Sequence, residues 1–383
     1  MTKTIAVLGA TGSVGMQALD VARARGYKID FISAGHNSAL AERIAREFRP
    51  TSVAMADARA ANELKFRLRD TGIKVLCGEK GICEGIYESR SETVLNAILG
   101  AAGLAPTIAT IEAGKRLALA NKESLVIAGE KVMNFARKKG TEIIPVDSEH
   151  SAIFQSLHSG RPSEVKRLIL TASGGPFYGM TAAQLSRVTL EDTLAHPTWR
   201  MGKKITVDSA TLMNKGFEII EAAHMFSISP DKIQVVIHRE SILHSAVEYI
   251  DNSMRGEFSL PDMRSCIQYA IDYPARMESA SPSLDLTALG RMTFAAPDTS
   301  AFPLLEMSKR AFFEGGGCPA VLNAADEVAV TAFLDRKISF ADIPRVVIGT
   351  YEIMRGARFA TGLEEILAAD KEARRVAEEY TRK

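Results

Sequence analysis

Over the first 146 residues, short β-branched apolar runs alternate with longer stretches whose apolar positions recur at helical spacing. Residues 5–8, 29–32, 52–55 and 73–76 read as strands, and 93–99, 117–119 and 142–145 continue the series. Residues 13–24, 40–48 and 58–70 read as helices between them. Strands separated by helices of this length form βαβ units, so the pattern predicts an α/β domain on a doubly wound parallel sheet over 1–147.

After Asp147 the texture changes. Gly/Pro-rich connections, Ser173-Gly174-Gly175-Pro176 and His196-Pro197-Thr198, separate strand-like pieces at 167–171 and 232–237, which predicts a central α+β catalytic domain over 148–280. Residues 281–303, with Pro282, Pro297 and Pro303, read as a surface linker. Residues 304–313, 318–334, 340–355 and 363–380 read as a C-terminal helical domain over 304–383, the last helix opened by a capping box at Thr361-Gly-Leu-Glu364.

Composition narrows the function. Against 46 Asp and Glu, the 47 Lys and Arg leave a formal charge of +1 over 383 residues, of which 46% are hydrophobic and 24% charged. Coating a phosphate backbone needs an excess of cations, so nucleic acid is not an expected partner. No run approaches the roughly 20 apolar residues of a membrane-spanning helix; the most apolar, 97–109, is broken by Gly and Pro, and no membrane is expected either. Cys77, Cys83, Cys266 and Cys318 form no C-x-x-C pair and read as mostly buried thiols of a reducing compartment. The chain enters its first strand almost at Met1, leaving no room for a cleavable signal, and a cytoplasmic protein is expected.

Candidate chemistry begins at Gly9-Ala-Thr11-Gly12-Ser13-Val14-Gly15, between the first strand and the first helix. Glycines there let backbone N–H groups approach a pyrophosphate, the context of a Rossmann-like dinucleotide-binding domain. The second strand leads into Gly35-His36-Asn37-Ser38 with no carboxylate to repel a 2′-phosphate, while His36, Asn37 and Ser38 could donate to one, so NADPH is favoured over NADH. On an extended backbone, Asp147 and Glu149 at i and i+2 would point the same way; such carboxylates either flank a hard cation such as Mg²⁺ or Mn²⁺ or form a solvated acidic loop. Helical spacing stacks Asn214 on Glu218 and Lys215 on Glu218, as part of a site or as a surface ion pair. Ser173-Gly174-Gly175 could cradle an anion. Trp199, the sole tryptophan, lies beside His196 in a segment over 192–204 that reads as a mobile lid.

Six motifs occur in order: Gly9-Ala-Thr-Gly12-Ser-Val-Gly15, Ala120-Asn121-Lys122-Glu123-Ser124, Val146-Asp147-Ser148-Glu149-His150, Ser173-Gly174-Gly175-Pro176-Phe177, His196-Pro-Thr198-Trp199-Arg-Met201-Gly202 and Asn214-Lys215-Gly-Phe-Glu218. Through them the chain resembles, along essentially its whole length, the 1-deoxy-D-xylulose 5-phosphate reductoisomerase family. The resemblance implies conversion of that sugar phosphate to 2-C-methyl-D-erythritol 4-phosphate by NADPH, with one divalent cation (Mg²⁺, Mn²⁺ or Co²⁺), in non-mevalonate isoprenoid synthesis by a homodimer. It implies NADPH contacts from Thr11, Gly12, Ser13, Val14, Gly35, His36, Asn37, Asn121, Glu123 and Gly202. It implies metal ligation by Asp147, Glu149 and Glu218. Lys122, Ser148 and Glu149 would touch the carbonyl and hydroxyl end of the substrate, and Ser173, His196, Ser209, Asn214 and Lys215 its phosphate end, with Trp199 closing over it. The family often has Lys or Arg where His36 stands, and a neutral His attracts a 2′-phosphate less.

Two rival readings remain at the level of sequence. A semialdehyde or acyl-phosphate dehydrogenase opens on a similar glycine turn but needs a cysteine nucleophile; Cys266 lies in an apolar context that reads as buried. A non-catalytic NADP-sensing protein would bind cofactor and reduce nothing.

Overall fold

The structure is a computed structural model that describes residues 3–199 and 201–382. Elements are numbered along the chain. It divides into two compact units, one running to Ser124 and resuming at Val132–Ser151 and Asp262–Pro282, the other comprising Leu125–Lys131, Ala152–Pro261 and the chain from Ser283.

The first unit carries β1 (Thr4–Leu8), β2 (Lys28–Ala34), β3 (Ser52–Met55), β4 (Lys74–Cys77), β5 (Thr93–Asn96), β6 (Arg116–Leu119) and β7 (Ile143–Pro145), all parallel, in the order β4-β3-β2-β1-β5-β6-β7. The central strands are buried along their length because helices cover both faces, which is why they read as continuous apolar runs. The order reverses between β1 and β5, and α/β proteins bind nucleotides at the carboxyl ends of strands at such a switch point. Its helices are α1 (Ser13–Arg25), α2 (Ser38–Phe48), α3 (Ala58–Arg67), α4 (Gly78–Glu88) and α5 (Leu104–Glu112), while α6 (Glu123–Lys139) and α7 (Ser148–Leu157) are divided between the two units. Glycines at α4 hide it from sequence periodicity; a Cβ at Gly85 would lie 2.3 Å from the Phe31 ring, so close packing requires glycine at that position.

Three segments lie elsewhere than the sequence reading puts them: Leu125–Lys131, inside the predicted first domain, belongs to the second unit, while residues 148–151 and 262–280, inside the predicted catalytic domain, belong to the first. Helix α12 (Met263–Asp272) falls within the predicted catalytic domain but belongs to the first unit. Its Asp272 accepts a hydrogen bond from the Tyr27 hydroxyl at 2.6 Å and pairs with Lys3 at 3.2 Å, and Arg116 donates to the Tyr273 carbonyl at 2.7 Å. Such pairings join residues far apart in sequence and leave no periodic signal.

The second unit is built on a four-stranded sheet, β11 (Met254–Phe258), β10 (Leu243–Tyr249), β8 (Val165–Ala172), β9 (Ile233–Ile237), in which β8 and β9 are parallel and the other pairs antiparallel. Short α8 (Ala182–Leu185) and α9 (Leu190–Leu194) precede α10 (Lys203–Thr211) and α11 (Met213–Met225). Residues 281–303 are largely exposed and include α13 (Leu286–Leu289), but Ala295 exchanges hydrogen bonds of 2.8 and 2.9 Å with Ile237. The helical C-terminal region consists of α14 (Leu304–Glu314), α15 (Cys318–Leu334), α16 (Asp342–Ile353) and α17 (Leu363–Tyr380). Helix α15 is apolar nearly all round and buried, as a central helix must be.

The cap of α17 is shifted by one residue from the predicted box: Gly362 is the N-cap, and Glu365, not Glu364, accepts from the Thr361 and Gly362 N–H groups at 2.8 and 3.0 Å. Inside the second unit, Lys204 of α10 donates to Asp208 at 2.7 Å and to the fully buried Asp326 of α15 at 2.9 Å, with its ammonium 5.0 Å from the Phe217 ring centre. Among the described residues no helix is long and apolar enough to cross a membrane.

Candidate active site

Between β1 and α1, Gly9 adopts a left-handed φ of +75°. A Cβ there would lie 2.5 Å from the Ala97 carbonyl oxygen, and one at Gly15 would come within 2.2 Å of the Gly9 carbonyl oxygen. The outer glycines thus let strand, turn and helix touch. Gly12 instead is the exposed N-cap of α1 with no side-chain cap, so the first-turn N–H groups are left for an external acceptor. Ser13 is exposed beside it, with Thr11 and Val14 half-buried.

At the end of β2, Gly35, His36 and Asn37 are exposed. Asn37 caps α2, its side-chain oxygen accepting from the Leu40 N–H at 3.0 Å. Ser38 does not serve as the expected donor to a 2′-phosphate: it is buried, and its hydroxyl donates to Glu63 at 2.9 Å.

Asn121, Lys122 and Glu123 are buried just beyond β6. The Asn121 amide donates to the carbonyls of Ile98 and Gly100 at 2.8 and 2.9 Å and to the Glu123 carboxylate at 2.9 Å, while its oxygen accepts from Ser124. It therefore ties the chain after β5 to the start of α6. Lys122 donates to Asp147 at 2.7 Å.

The expectation that Asp147 and Glu149 share one side of an extended backbone is overturned, because the chain is helical from Ser148. One Asp147 oxygen accepts from the N–H groups of Glu149 at 3.2 Å and His150 at 3.4 Å and so caps α7. A short acceptor side chain followed by a first-turn glutamate is itself a helix-start signal. Ser148 donates to Glu149 at 2.5 Å. His150, not singled out by sequence, is fully buried with Nδ1 2.9 Å from Asp147; its position three residues on in the same helix is the signal that could have found it.

In the second unit, Ser173-Gly174-Gly175 follows β8 with Gly174 and Gly175 at φ +76° and +65°. His196 Nε2 lies 3.0 Å from the Ser173 hydroxyl and 3.2 Å from the Ser209 hydroxyl of α10, so three of the residues assigned to the phosphate end meet. Burial first, and then the nearby Arg239 charge, push the His196 imidazole down to about 4, which keeps it neutral at physiological pH. Arg239, also missed in the sequence, donates to the carbonyls of Ser173 and Gly175 at 2.9 and 2.6 Å.

Leu212, a non-glycine residue at φ +59°, turns the chain from α10 into α11, a strained conformation of the kind that surrounding structure must hold. On α11 the predicted stacking is present: Asn214 donates to Glu218 at 2.5 Å, and Lys215 pairs with the same carboxylate. The surface alternative for this pair does not apply, because Lys215 is 4% and Glu218 1% exposed.

Residues 192–204 are not one loop, since both ends are helical. Trp199 is half-buried, its backbone N–H donating to His196 Nδ1 at 2.9 Å and its ring centre 6.0 Å from that of His244. Gly202 is exposed at the N-cap of α10, and Arg200 lies outside the described residues. Cys266 and Cys318 are buried as expected, whereas Cys77 is exposed and Cys83 half-buried, so "mostly buried" holds for two of the four.

Three family profiles match: 1-deoxy-D-xylulose 5-phosphate reductoisomerase over residues 5–129, its C-terminal domain over 143–226, and the DXP reductoisomerase C-terminal domain over 258–376. The 1-deoxy-D-xylulose 5-phosphate reductoisomerase of Prosthecochloris aestuarii is 46% identical over 381 residues, covering 99% of this chain and 100% of that protein. That of Heliobacterium modesticaldum is 49% identical over 383 residues, covering 99% and 97%. The solved Zymomonas mobilis reductoisomerase in complex with NADPH superposes with a TM-score of 0.91 at 40% identity, covering 100% of this chain and 99% of that one. A DOX-P reductoisomerase in complex with NADPH, fosmidomycin and magnesium gives 0.94 at 38% identity, covering 99% and 98%.

Proposed function

Because the chain belongs to the 1-deoxy-D-xylulose 5-phosphate reductoisomerase family, we propose that it catalyses the NADPH-dependent, divalent-metal-dependent conversion of 1-deoxy-D-xylulose 5-phosphate to 2-C-methyl-D-erythritol 4-phosphate, the isoprenoid-precursor step its relatives are named for. Identity of 46% to 49% with those relatives along 99% of the chain is the observation that carries this.

The residues present fit the groups the reaction requires. Asp147, Glu149 and Glu218 offer hard oxygen donors suited to Mg²⁺, Mn²⁺ or Co²⁺, and Asp147 and Glu218 already each compensate a lysine ammonium. When bound, the cation supplies Lewis acidity toward the substrate's ketone and hydroxyl oxygens, and NADPH supplies the hydride. Gly12 and the first turn of α1, with Thr11, Ser13 and Val14, would receive the pyrophosphate; Gly35, His36 and Asn37 would face the adenosine phosphate; Asn121, Glu123 and Gly202 would complete the contacts.

Lys122 holds Asp147 and Ser148 holds Glu149, which fixes these carboxylates for the carbonyl end of the substrate. Lys215, with Asn214, Ser173, Ser209 and His196, would hold the phosphate. A neutral His196 can donate one N–H there without carrying charge of its own. Trp199, whose backbone N–H donates to His196, would close its ring over the bound sugar and exclude water. The free cysteines support a cytoplasmic enzyme, and the family assignment supports a homodimer.

The test is NADPH absorbance with the sugar phosphate, with and without chelator. Consumption that needs both substrate and divalent cation is expected. Equal rates after exhaustive chelation would remove the metal assignment, and alkylation-sensitive oxidation of an aldehyde would favour a dehydrogenase instead.

A further inference from the structure

We infer that Arg239 is a positioning residue for the phosphate end of the substrate: its guanidinium shapes the Ser173-Gly174-Gly175 turn and places positive charge behind it. The inference rests on the reading that Ser173, His196 and Ser209 receive a phosphate. Arg239 follows β9, and one of its terminal nitrogens bridges the Ser173 and Gly175 carbonyls at 2.9 and 2.6 Å. Its guanidinium carbon lies 5.3 Å from the centre of the Tyr178 ring, and its own carbonyl accepts from the Thr198 hydroxyl at 3.3 Å. One side chain and its backbone therefore touch the glycine turn and the segment that carries Trp199.

Two features set Arg239 apart from an arginine that only packs. Among the described residues no carboxylate pairs with it; the adjacent Glu240 is held by Thr293 at 2.8 Å and His238 at 3.0 Å. A guanidinium bonded only to carbonyl oxygens retains its full charge, beside two hydroxyls and an imidazole that carry none. The turn it grips is also one that needs holding. Gly174 and Gly175 are both left-handed, and a Cβ at Gly175 would lie 2.7 Å from the Ser209 carbonyl oxygen. Across the planar peptide that follows Ser173, carbonyl and N–H point in opposite directions, so capture of the Ser173 oxygen turns the Gly174 N–H away from the cation. An anion at the turn thus gains oriented donors and a compensating charge together.

The test uses the full chain and two variants. R239Q removes the charge while keeping amide donors, and R239K keeps the charge on one ammonium. Binding of inorganic phosphate is measured by calorimetry, and KM for the sugar phosphate and for NADPH by steady-state kinetics. R239Q should weaken phosphate binding and raise the sugar-phosphate KM about tenfold, the effect of losing one nearby screened charge. NADPH KM should stay unchanged and kcat within about twofold, with most of the loss recovered in R239K. Phosphate affinity and sugar-phosphate KM unchanged in R239Q, an R239K enzyme as impaired as R239Q, a parallel rise in NADPH KM, or no phosphate binding by the wild type would each overturn the inference. Phosphate binding that depends on Arg239 in an enzyme that turns over no sugar phosphate would overturn the functional reading and leave this inference standing.

Discussion

The imidazole of His196 lies 3.0 Å from the hydroxyl of Ser173, joining the segment that bears Trp199 to the left-handed glycine turn after β8. Ser209 adds a hydroxyl from α10 on the same ring nitrogen. All three groups are uncharged while the imidazole is neutral, so charge for an anion must come from lysine and arginine around them.

Burial lowers the His196 pKa from 6.5 to about 4. Between these values the unfolded chain binds more protons than the native one, so this group's effect on stability is fully favourable above about pH 6.5 and is lost as pH falls toward about 4. Imidazole resonances followed by NMR should show His196 unprotonated down to about pH 5. A midpoint near the unperturbed value would contradict the burial described here.

Gly15 and Gly12 should respond differently to alanine. A Cβ at Gly15 meets the Gly9 carbonyl at 2.2 Å and the Ala10 Cα at 2.7 Å, whereas one at Gly12 meets only the Gly9 carbonyl at 3.2 Å. Gly15→Ala is expected to destabilise by about 1–3 kcal/mol, as overpacking does. Gly12→Ala should fold normally and lose NADPH affinity. Thermal unfolding together with NADPH titration separates the two.

Lys204 compensates two buried carboxylates, and burial pushes the Asp326 carboxyl up from its ordinary value. Lys204→Ala leaves Asp208 and Asp326 facing each other without that ammonium. A loss of about 3–5 kcal/mol is expected in denaturant unfolding. The double variant Lys204→Met with Asp326→Leu should recover much of it, and no recovery would mean that packing, not charge, is what Lys204 supplies.

Glu218 is 1% exposed and bonded to both Asn214 and Lys215. Glu218→Gln should cost at least about a hundredfold in kcat, since it removes one charge proposed to hold the cation. NADPH affinity should change little. A variant with near-normal turnover across a Mg²⁺ titration would remove Glu218 from the metal site.

Much of this was legible in sequence, for identifiable reasons. The strands of the first unit are apolar on both faces and stand out as runs, and the Asn214 to Glu218 relationship follows from helix geometry. Helix α4 is hidden because its Gly85 answers to the Phe31 ring and its Gly81 to Leu76, not to a period. Asp147 misled because its capping role was read as a strand position, although Glu149 two residues later already favours a helix start. Arg239 could not be found, because its partners are backbone carbonyls 64 and 66 residues away, and a carbonyl has no side-chain signature.

The central claim is that one chain both rearranges a carbon skeleton and delivers hydride to the product. The most direct measurement follows deuterium from NADPH carrying the label at its transferable position, with 1-deoxy-D-xylulose 5-phosphate and Mg²⁺, and identifies the product by NMR. The account predicts one deuterium per molecule in the branched 2-C-methyl-D-erythritol 4-phosphate. Label retained in NADPH, or found in an unbranched sugar alcohol phosphate, would contradict it.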